Sequence, residues 1–257
     1  MRRASILLVF FAMLFFLPTN AWSIVFLNVQ WNEDTEEWET RPLVIEGEGL
    51  SLNRDYQNAY GYQMDLPPGP PFIITAGIIV RNLYDENDDV TDWGTLTVMT
   101  VGSGTDPFTL EFSPPEGGGD YSTLSFSGRI NIEGTSSDPV IFKGSFCISN
   151  QAWLHNDPES HHPYISLSNC VFDQIGYDGT CCYNLLNIRA ADVTLDNCTF
   201  SNFLPSAIGR IVNFEEESYV DPPEWEFTMR ECRFDNITLD SAPPVNLQNP
   251  GGKINIE

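Results

Sequence analysis

The sequence has few basic residues for its length. Twelve lysine and arginine residues stand against 36 aspartate and glutamate residues among 257, which gives a formal net charge of −24. Such a surface repels nucleic acid and anionic lipid, so neither is expected as a partner. It attracts divalent cations, but a negative surface alone does not make a binding site.

The chain also lacks helical periodicity and, beyond its N-terminus, any long apolar run. No stretch after residue 23 repeats apolar residues at i, i+3, i+4 and i+7, so a helical bundle is excluded. The apolar run 6–17 is too short for a membrane span, which needs about 20 residues. It follows two arginines and precedes the small residues Ala21 and Ser23, which is the layout of a secretory signal peptide. We predict a signal peptide over residues 1–23 and a secreted or cell-surface protein with no transmembrane segment after cleavage.

An internal repeat is the strongest feature that the sequence does contain. Segments 165–175, 193–203 and 227–237 align without gaps on the pattern apolar-x-apolar-x-Asn-Cys-x-Phe-x-x-apolar, with Glu231 replacing asparagine in the third copy. Successive cysteines lie 28 and 34 residues apart. Repeats of about 30 residues that contain short strands and no helix predict an all-β fold, a right-handed parallel β-helix.

The spacing within the repeat predicts which side chains face inward. Residues two apart share one face of a strand, as Ile165 and Leu167 do, but three positions separate Leu167 from Cys170. A bend at Asn169 keeps both apolar pairs inside, and asparagine tolerates the left-handed backbone that such a corner requires. The predicted structural ladder consists of equivalent residues from successive repeats: Asn169, Asn197, Cys170, Cys198, Cys232, Phe172, Phe200 and Phe234.

A second repeat supports the solenoid and sets the predicted domain boundaries. The segment 127–133 recurs almost unchanged at 251–257. We assign residues 93–257 to the parallel β-helix and expect it to continue beyond residue 257. Residues 24–92 contain an acidic run and a proline-rich stretch, and we assign them to an N-terminal cap or irregular β region.

The repeat resembles the pectin-lyase-like superfamily of right-handed parallel β-helices, in particular its surface and adhesin-type members. The resemblance rests on Leu-x-Asn-Cys-x-Phe at 167–172 and 195–200 and on Glu-Gly-Thr-Ser-Ser-Asp-Pro-Val-Ile-Phe at 133–142. These motifs record core packing, so they specify a fold well and a function poorly. The superfamily contains polysaccharide lyases and hydrolases as well as adhesins, so the resemblance implies a glycan-binding surface or a glycan-cleaving enzyme.

Six cysteines in an exported chain first suggest disulfides. The three cysteines of the repeat fall at one rung position, about 4.8 Å apart, where parallel Cβ vectors suit a disulfide poorly. We predict that they form a reduced, buried ladder of small apolar side chains. For Cys147, a loop disulfide with Cys181 or Cys182 is one alternative to a free thiol.

The candidate metal ligands are concentrated in one polar segment. All three histidines lie within eight residues together with two carboxylates, and imidazole and carboxylate groups together bind zinc and similar metals. The candidate ligands are His155, Asp157, Glu159, His161 and His162. Two prolines forbid a regular helix here, so a polar loop between rungs is the simpler interpretation. No cofactor is predicted; calcium remains an alternative because of acid runs such as 85–89, although none follows the twelve-residue calcium loop.

The sequence contains no complete catalytic constellation. Asp173, Asp196 and Asp235 could be neighbours across rungs, and Arg189 is a basic residue on a neighbouring strand, so these four are the candidate catalytic residues. A glycoside hydrolase needs two carboxylates about 5–9.5 Å apart, but an acidic β-helix produces such pairs by chance. We expect an exported, non-catalytic protein that presents an elongated surface for adhesion or for binding a polysaccharide or host cell-surface glycan. The alternative is a polysaccharide lyase or glycoside hydrolase of the same fold.

Overall fold

The computed structural model is a stack of parallel β-strands wound into a three-sided solenoid. It describes residues 25–26, 29–32, 37–40, 43–47, 49–53, 72–74, 77–86, 89–100, 108–112, 122–150, 163–176, 184–189, 191–203, 209–215, 225–237, 239, 243–248 and 253–257. In this part of the chain every regular element is a strand, and no helix is present. The predicted all-β, parallel β-helix fold is confirmed.

Each side of the solenoid is a sheet of parallel strands, and the chain visits the three sides in the same order in every coil. Face 1 contains β5 (Gly49–Asn53), β10 (Thr95–Met99), β13 (Arg129–Glu133), β15 (Tyr164–Ser168), β18 (Asp192–Asp196), β21 (Glu226–Arg230) and β24 (Lys253–Ile256). Face 2 contains β1 (Val25–Phe26), β6 (Phe72–Ile74), β11 (Phe108–Phe112), the first half of β14 (Val140–Asn150), β16 (Cys170–Gly176), β19 (Thr199–Ser201) and β22 (Arg233–Asp235). Face 3 contains β4 (Leu43–Glu46), β7 (Ile78–Arg81), β12 (Ser122–Phe126), the second half of β14, β17 (Asn184–Ile188), β20 (Arg210–Glu215) and β23 (Val245–Gln248).

Two antiparallel hairpins are inserted between successive faces in the N-terminal region. The first pairs β2 (Val29–Asn32) with β3 (Glu37–Thr40), and the second pairs β8 (Leu83–Tyr84) with β9 (Val90–Asp92). Outside these hairpins, β4 pairs in parallel with β7, and β5 pairs in parallel with β10. The three faces therefore extend into the region that the sequence assigns to an N-terminal cap.

The interior is filled by alternate residues of successive strands. On β15, Ile165 and Leu167 are buried, whereas Ser166 between them faces outward. The parallel register sets Ile165 over Val193 of the next coil, and Val193 over Phe227 of the coil after that. Each fully buried side chain of this kind contributes about 1.5–3 kcal/mol relative to leaving it exposed. One continuous core therefore runs along the axis.

Phenylalanine forms a column inside face 2. The rings of Phe142, Phe172, Phe200 and Phe234 are stacked, with successive centroid separations of 4.7, 4.9 and 5.2 Å. Each such contact contributes about 0.5–1.5 kcal/mol beyond the burial of apolar area. The column ends at Phe234, which is 37% exposed, whereas Phe172 and Phe200 are fully buried.

The corner between faces 1 and 2 is made by a residue in the left-handed conformation. The φ angle is +49° at Asn169, +48° at Asn197 and +51° at Glu231. The amide nitrogen of Asn197 donates a hydrogen bond to the side-chain oxygen of Asn169 at 2.6 Å, and the amide nitrogen of Asn169 donates to the carbonyl of Gly134 at 3.0 Å. Asparagine therefore satisfies both the backbone and the contact between coils, and Glu231 keeps the same backbone in the third copy.

The strand β14 turns from face 2 to face 3 at a glycine. The φ angle of Gly144 is +94°, and a Cβ atom at this position would overlap the carbonyl oxygen of Phe112 on the neighbouring coil. The register between β14 and β16 shifts at the same point, between Phe142 and Gly144. Only glycine fits this corner without strain, because it lacks the Cβ atom.

Candidate functional site

The outer surface of face 1 combines aromatic, charged and hydroxyl-bearing side chains. On β10, β13, β15 and β18 the second and fourth residues are buried, so the first, third and fifth residues point outward. The strand register aligns these outward residues in three rows parallel to the solenoid axis. The first row contains Thr95, Arg129, Tyr164, Asp192, Glu226 and Lys253. The middle row contains Thr97, Asn131, Ser166, Thr194, Thr228 and Asn255. The third row contains Met99, Glu133, Ser168, Asp196 and Arg230.

Two residues of the first row, Arg129 and Tyr164, form a cluster with Trp93, which we call the Arg129 cluster. The guanidinium carbon of Arg129 lies 3.8 Å from the ring centroid of Trp93 and 5.8 Å from that of Tyr164. Tyr164 is the register partner of Arg129 on the next coil, and Trp93 lies just before β10 on the preceding one. Cation–π contacts of this kind contribute about 0.5–2 kcal/mol and fix the guanidinium plane.

The electrostatic setting of Arg129 differs from that of most other cations in the described residues. Arg81, Lys143, Arg233 and Lys253 each pair with a carboxylate. Within the described ranges no carboxylate pairs with Arg129, and its Nε atom is buried with no hydrogen-bond partner. In a chain of net charge −24, two aromatic rings rather than an acid hold this guanidinium.

The first row becomes acidic on the coils that follow Tyr164. Asp192 accepts a hydrogen bond from the backbone N–H of Glu226 at 2.8 Å. An Oε1 atom of Glu226 accepts from the ammonium of Lys253 at 3.1 Å and from the amide of Asn255 at 2.7 Å. The Lys253 ammonium, through its hydrogen bond and its charge, holds the pKa of Glu226 below its usual value. Along the first row, a cation held between rings is therefore followed by two carboxylates.

Two of the predicted catalytic residues lie on the outer surface of face 2. Asp173 and Asp235 are in register with Ser201, which lies between them, so two strand spacings of about 4.8 Å separate their backbones. Asp173 accepts hydrogen bonds from Asn202 at 2.8 Å and from Ser201 at 3.2 Å, and Lys143 lies 3.7 Å from its other oxygen. Asp235 forms an ion pair within its own strand. Each of the two carboxylates therefore has polar partners within the stack.

The other two predicted catalytic residues lie elsewhere. Asp196 belongs to the third row of face 1, beside Arg230 in the register. Arg189 is exposed and follows β17, at the passage from face 3 to face 1, where its backbone N–H donates to Asn150 at 2.6 Å. The structure brings Asp173 and Asp235 onto one face, and it does not bring the four candidates together at one site.

The cysteines of the repeat form a column of free thiols inside the solenoid. Cys170 and Cys198 are buried, and Cys232 is partly exposed. The thiol of Cys198 lies 3.4 Å from the carbonyl oxygen of Leu167. A hydrogen bond with Cys170, together with burial, raises the pKa of Cys198, and a hydrogen bond with Cys198, together with burial, raises the pKa of Cys232. A thiol with a raised pKa is a poor nucleophile, so these side chains pack as small apolar groups.

Several predicted features fall wholly or partly outside the described residues. Cys147 is disulfide-bonded, and because the other described cysteines are free its partner lies outside the described ranges. The signal peptide, Cys181, Cys182 and the histidine cluster (His155, Asp157, Glu159, His161 and His162) also lie outside them. Among the residues that the structure does describe, no group of three His, Cys, Asp or Glu side chains is placed to hold a metal ion. No helix in the described ranges has the length and apolar character of a membrane span.

Sequence reasoning missed the Arg129 cluster, although part of its signal was present. Arg129 and Tyr164 each come directly before an apolar-x-apolar pair, Ile130 with Ile132 and Ile165 with Leu167, so aligning these pairs would place the two side by side. Trp93 was not predictable in this way. It lies between the hairpin strand β9 and β10, outside any repeated segment.

Comparison with known proteins found no similar protein. No family model, no curated protein and no solved structure matches the chain. The fold and the outer rows of face 1 define the class: a parallel β-solenoid with a polar and aromatic outer face. What the protein does has to be inferred from that face.

Proposed function

We propose that the chain is an exported β-helix protein, akin to the surface and adhesin-type members of the pectin-lyase-like superfamily, that binds glycan along face 1 without cleaving it. The observation that carries this proposal is the juxtaposition of Trp93 and Tyr164 with the middle row of hydroxyl and amide side chains. Aromatic rings offer apolar faces against which the C–H groups of a sugar pack, and hydroxyl and amide groups exchange hydrogen bonds with sugar hydroxyls.

The length and rigidity of face 1 suit an extended ligand. The middle row has a hydroxyl or amide group on each of six successive coils, at about 4.8 Å per coil; five of these side chains are partly exposed, and Thr228 is buried. Parallel strands fix the backbone under each of these groups, and Asn255 and Thr228 are further held by a hydrogen bond at 3.2 Å. A surface that is already ordered loses little conformational entropy on binding, which favours affinity for a repeating polymer.

The arrangement of the carboxylates favours binding over cleavage. A hydrolase needs two carboxylates on either side of one bond, and the lyases of the resembling superfamily need acids, calcium and a base together. Asp173 is held by Ser201, Asn202 and Lys143 on face 2, whereas Arg189 lies beyond face 3. The aromatic rings that could hold a sugar lie on face 1.

Glycan binding by the mature protein tests the proposal. A glycan array should identify ligands, and isothermal titration calorimetry should then show that Trp93→Ala and Tyr164→Ala each weaken binding about tenfold, the effect of losing one stacking ring. Tyr84→Ala is the matched control, because Tyr84 is a partly exposed tyrosine outside the three faces.

Two results would contradict the proposal. If the Trp93, Tyr164 and Tyr84 variants bound the glycan with equal affinity, face 1 would not be the binding surface. Release of reducing ends or unsaturated sugars from a glycan would show that the protein is an enzyme if Asp173→Asn or Arg189→Gln reduced that release.

A further inference from the structure

Arg129 specifies the charge pattern of the ligand, provided that face 1 binds glycan as proposed above. We propose that the glycan carries isolated anionic groups separated by neutral sugars, and that one of these groups binds the guanidinium of Arg129.

The donor edge of Arg129 is available for an anion. Trp93 and Tyr164 lie against the guanidinium group, at 3.8 and 5.8 Å, and contacts with ring faces do not use the N–H groups that lie in the guanidinium plane. No described carboxylate pairs with this guanidinium. Its Nε atom is buried, so the edge that an anion can reach is the one formed by the two Nη groups. A carboxylate, sulfate or phosphate approaching in the plane would accept two parallel hydrogen bonds, the strongest arrangement that arginine offers.

The rings place a sugar beside that anion. Tyr164 lies one coil from Arg129 in the same row, and both rings are partly exposed. A sugar that packs on an exposed ring surface therefore brings an acidic substituent, its own or that of its neighbour, to the guanidinium edge. Arg129 and the rings then recognise two parts of one ligand, the charge and the apolar face of the ring.

The rest of the first row opposes a ligand that is charged on every sugar. Asp192 and Glu226 follow Tyr164 on the next two coils, at about 10 and 14 Å from Arg129 along the axis. Negative groups on every sugar would lie against Asp192 and then against Glu226, whose charge Lys253 only partly offsets, and like charges at contact distance repel. More distant acids of the chain are screened at physiological salt, where the Debye length is about 8 Å. One anion beside Arg129, followed by neutral sugars, avoids the repulsion.

Three oligosaccharides of equal length test the charge pattern. A glucuronoxylan oligosaccharide with one glucuronate carries a single carboxylate on a neutral xylose chain, its carboxyl-reduced form is neutral, and an oligogalacturonate is charged on every sugar. By isothermal titration calorimetry at 0.15 M salt, we expect the singly charged oligosaccharide to bind the mature wild-type protein at least about tenfold more tightly than either of the others, the effect of one charge-assisted hydrogen-bonded pair. The side-chain Nε–H signal of Arg129 in NMR spectra should shift with the same ligand only.

The variants separate a specific anion site from general charge. Arg129→Gln should abolish the preference for the singly charged oligosaccharide over its reduced form. Arg230→Gln removes the same charge from an exposed arginine in the third row of the same face, and it should leave the preference unchanged. If Arg129→Gln lowers the midpoint of thermal unfolding, Arg129→Lys serves instead, since it keeps the charge and loses the planar donor edge.

The outcomes distinguish this inference from the proposed function. If Trp93→Ala and Tyr164→Ala weaken binding of all three probes but Arg129→Gln does not alter the preference, glycan binding stands and the anion site is wrong. Equal losses in the Arg129 and Arg230 variants, or tightest binding of the oligogalacturonate, also overturn the anion site. If no array glycan binds in a manner sensitive to the two rings, the proposed function fails and this inference fails with it.

Discussion

At the scale of single residues, the stack is held by side chains that repeat one contact from coil to coil. Asn197 donates to Asn169 at 2.6 Å, and Asn236 donates to Asn202 at 3.0 Å at a second corner. Both corners use left-handed backbone, which asparagine adopts more readily than other residues that have a side chain. One residue type therefore supplies the turn and the bond to the next coil.

The cysteine column makes the stability of the fold sensitive to alkaline pH. Contact with Cys170 and burial raise the pKa of Cys198 above its ordinary value of 9.0. Above about pH 9 the unfolded chain releases this proton and the folded chain keeps it, so the free energy of unfolding decreases as the pH rises; below pH 9 the thiol is protonated in both states. We expect a decrease of up to about 1.4 kcal/mol per pH unit from Cys198 between pH 9 and 11, measured by urea unfolding.

The control for this prediction is Cys198→Ala, which removes the titrating group and keeps a small apolar side chain. Its free energy of unfolding should be lower than that of the wild type at pH 7 and should decline less steeply above pH 9. Identical slopes for the variant and the wild type would assign the alkaline sensitivity to other groups, such as Cys232, lysine or tyrosine.

At the scale of strands and corners, the repeat predicts much of the fold because one coil sets the register of the next. The spacing apolar-x-apolar-x-Asn places the bend at Asn169, and Glu231 has the same left-handed φ without asparagine, since the coil below dictates the backbone. The corner at Gly144 has no counterpart in the repeat, so the sequence did not reveal it. The Arg129 cluster also escaped prediction, because Trp93 reaches it from an irregular segment and the contact depends on the positions of side chains.

Alanine substitution tests the glycine corner of β14. Gly144→Ala should lower the free energy of unfolding by more than about 2 kcal/mol, since left-handed backbone costs an L-residue roughly 1–2 kcal/mol and the added Cβ overlaps the carbonyl of Phe112. Gly49→Ala is the matched control, because a Cβ at Gly49 meets no atom within 4 Å and its φ is not positive. Urea unfolding should show a change of less than about 1 kcal/mol there. Equal losses of stability for Gly144→Ala and Gly49→Ala would mean that the backbone at the Gly144 corner shifts to accommodate the added Cβ atom.

At the scale of the whole molecule, charge opposes the compact state. The chain has 36 acidic residues and 12 basic ones, and folding brings the acids closer together than they are in the unfolded chain. The described ion pairs are largely on the surface, as that of Arg81 with Glu46 is, and such pairs contribute little. Apolar columns and hydrogen bonds between coils therefore supply the stability.

Salt should stabilise this protein. Raising sodium chloride from 0.02 to 0.3 M shortens the Debye length below the spacing of many surface acids, and we expect the free energy of unfolding to rise by roughly 1 kcal/mol in urea titrations. Calcium chloride at the same ionic strength is the comparison that tests the calcium alternative. A larger rise in the free energy of unfolding with calcium chloride would indicate a specific calcium site. A decrease in the free energy of unfolding with sodium chloride would contradict the claim that repulsion between acidic residues opposes folding.

The three faces bond strand to strand in the direction of the solenoid axis, and this determines how the molecule responds to force. Tension applied between its two ends acts equally on every junction between coils and along the direction of their hydrogen bonds, so the stack would open one junction at a time instead of shearing as a block. A polymer lying across several coils of face 1 would span those junctions. Its binding would strengthen the stack against pulling, because separating the coils would also require its release.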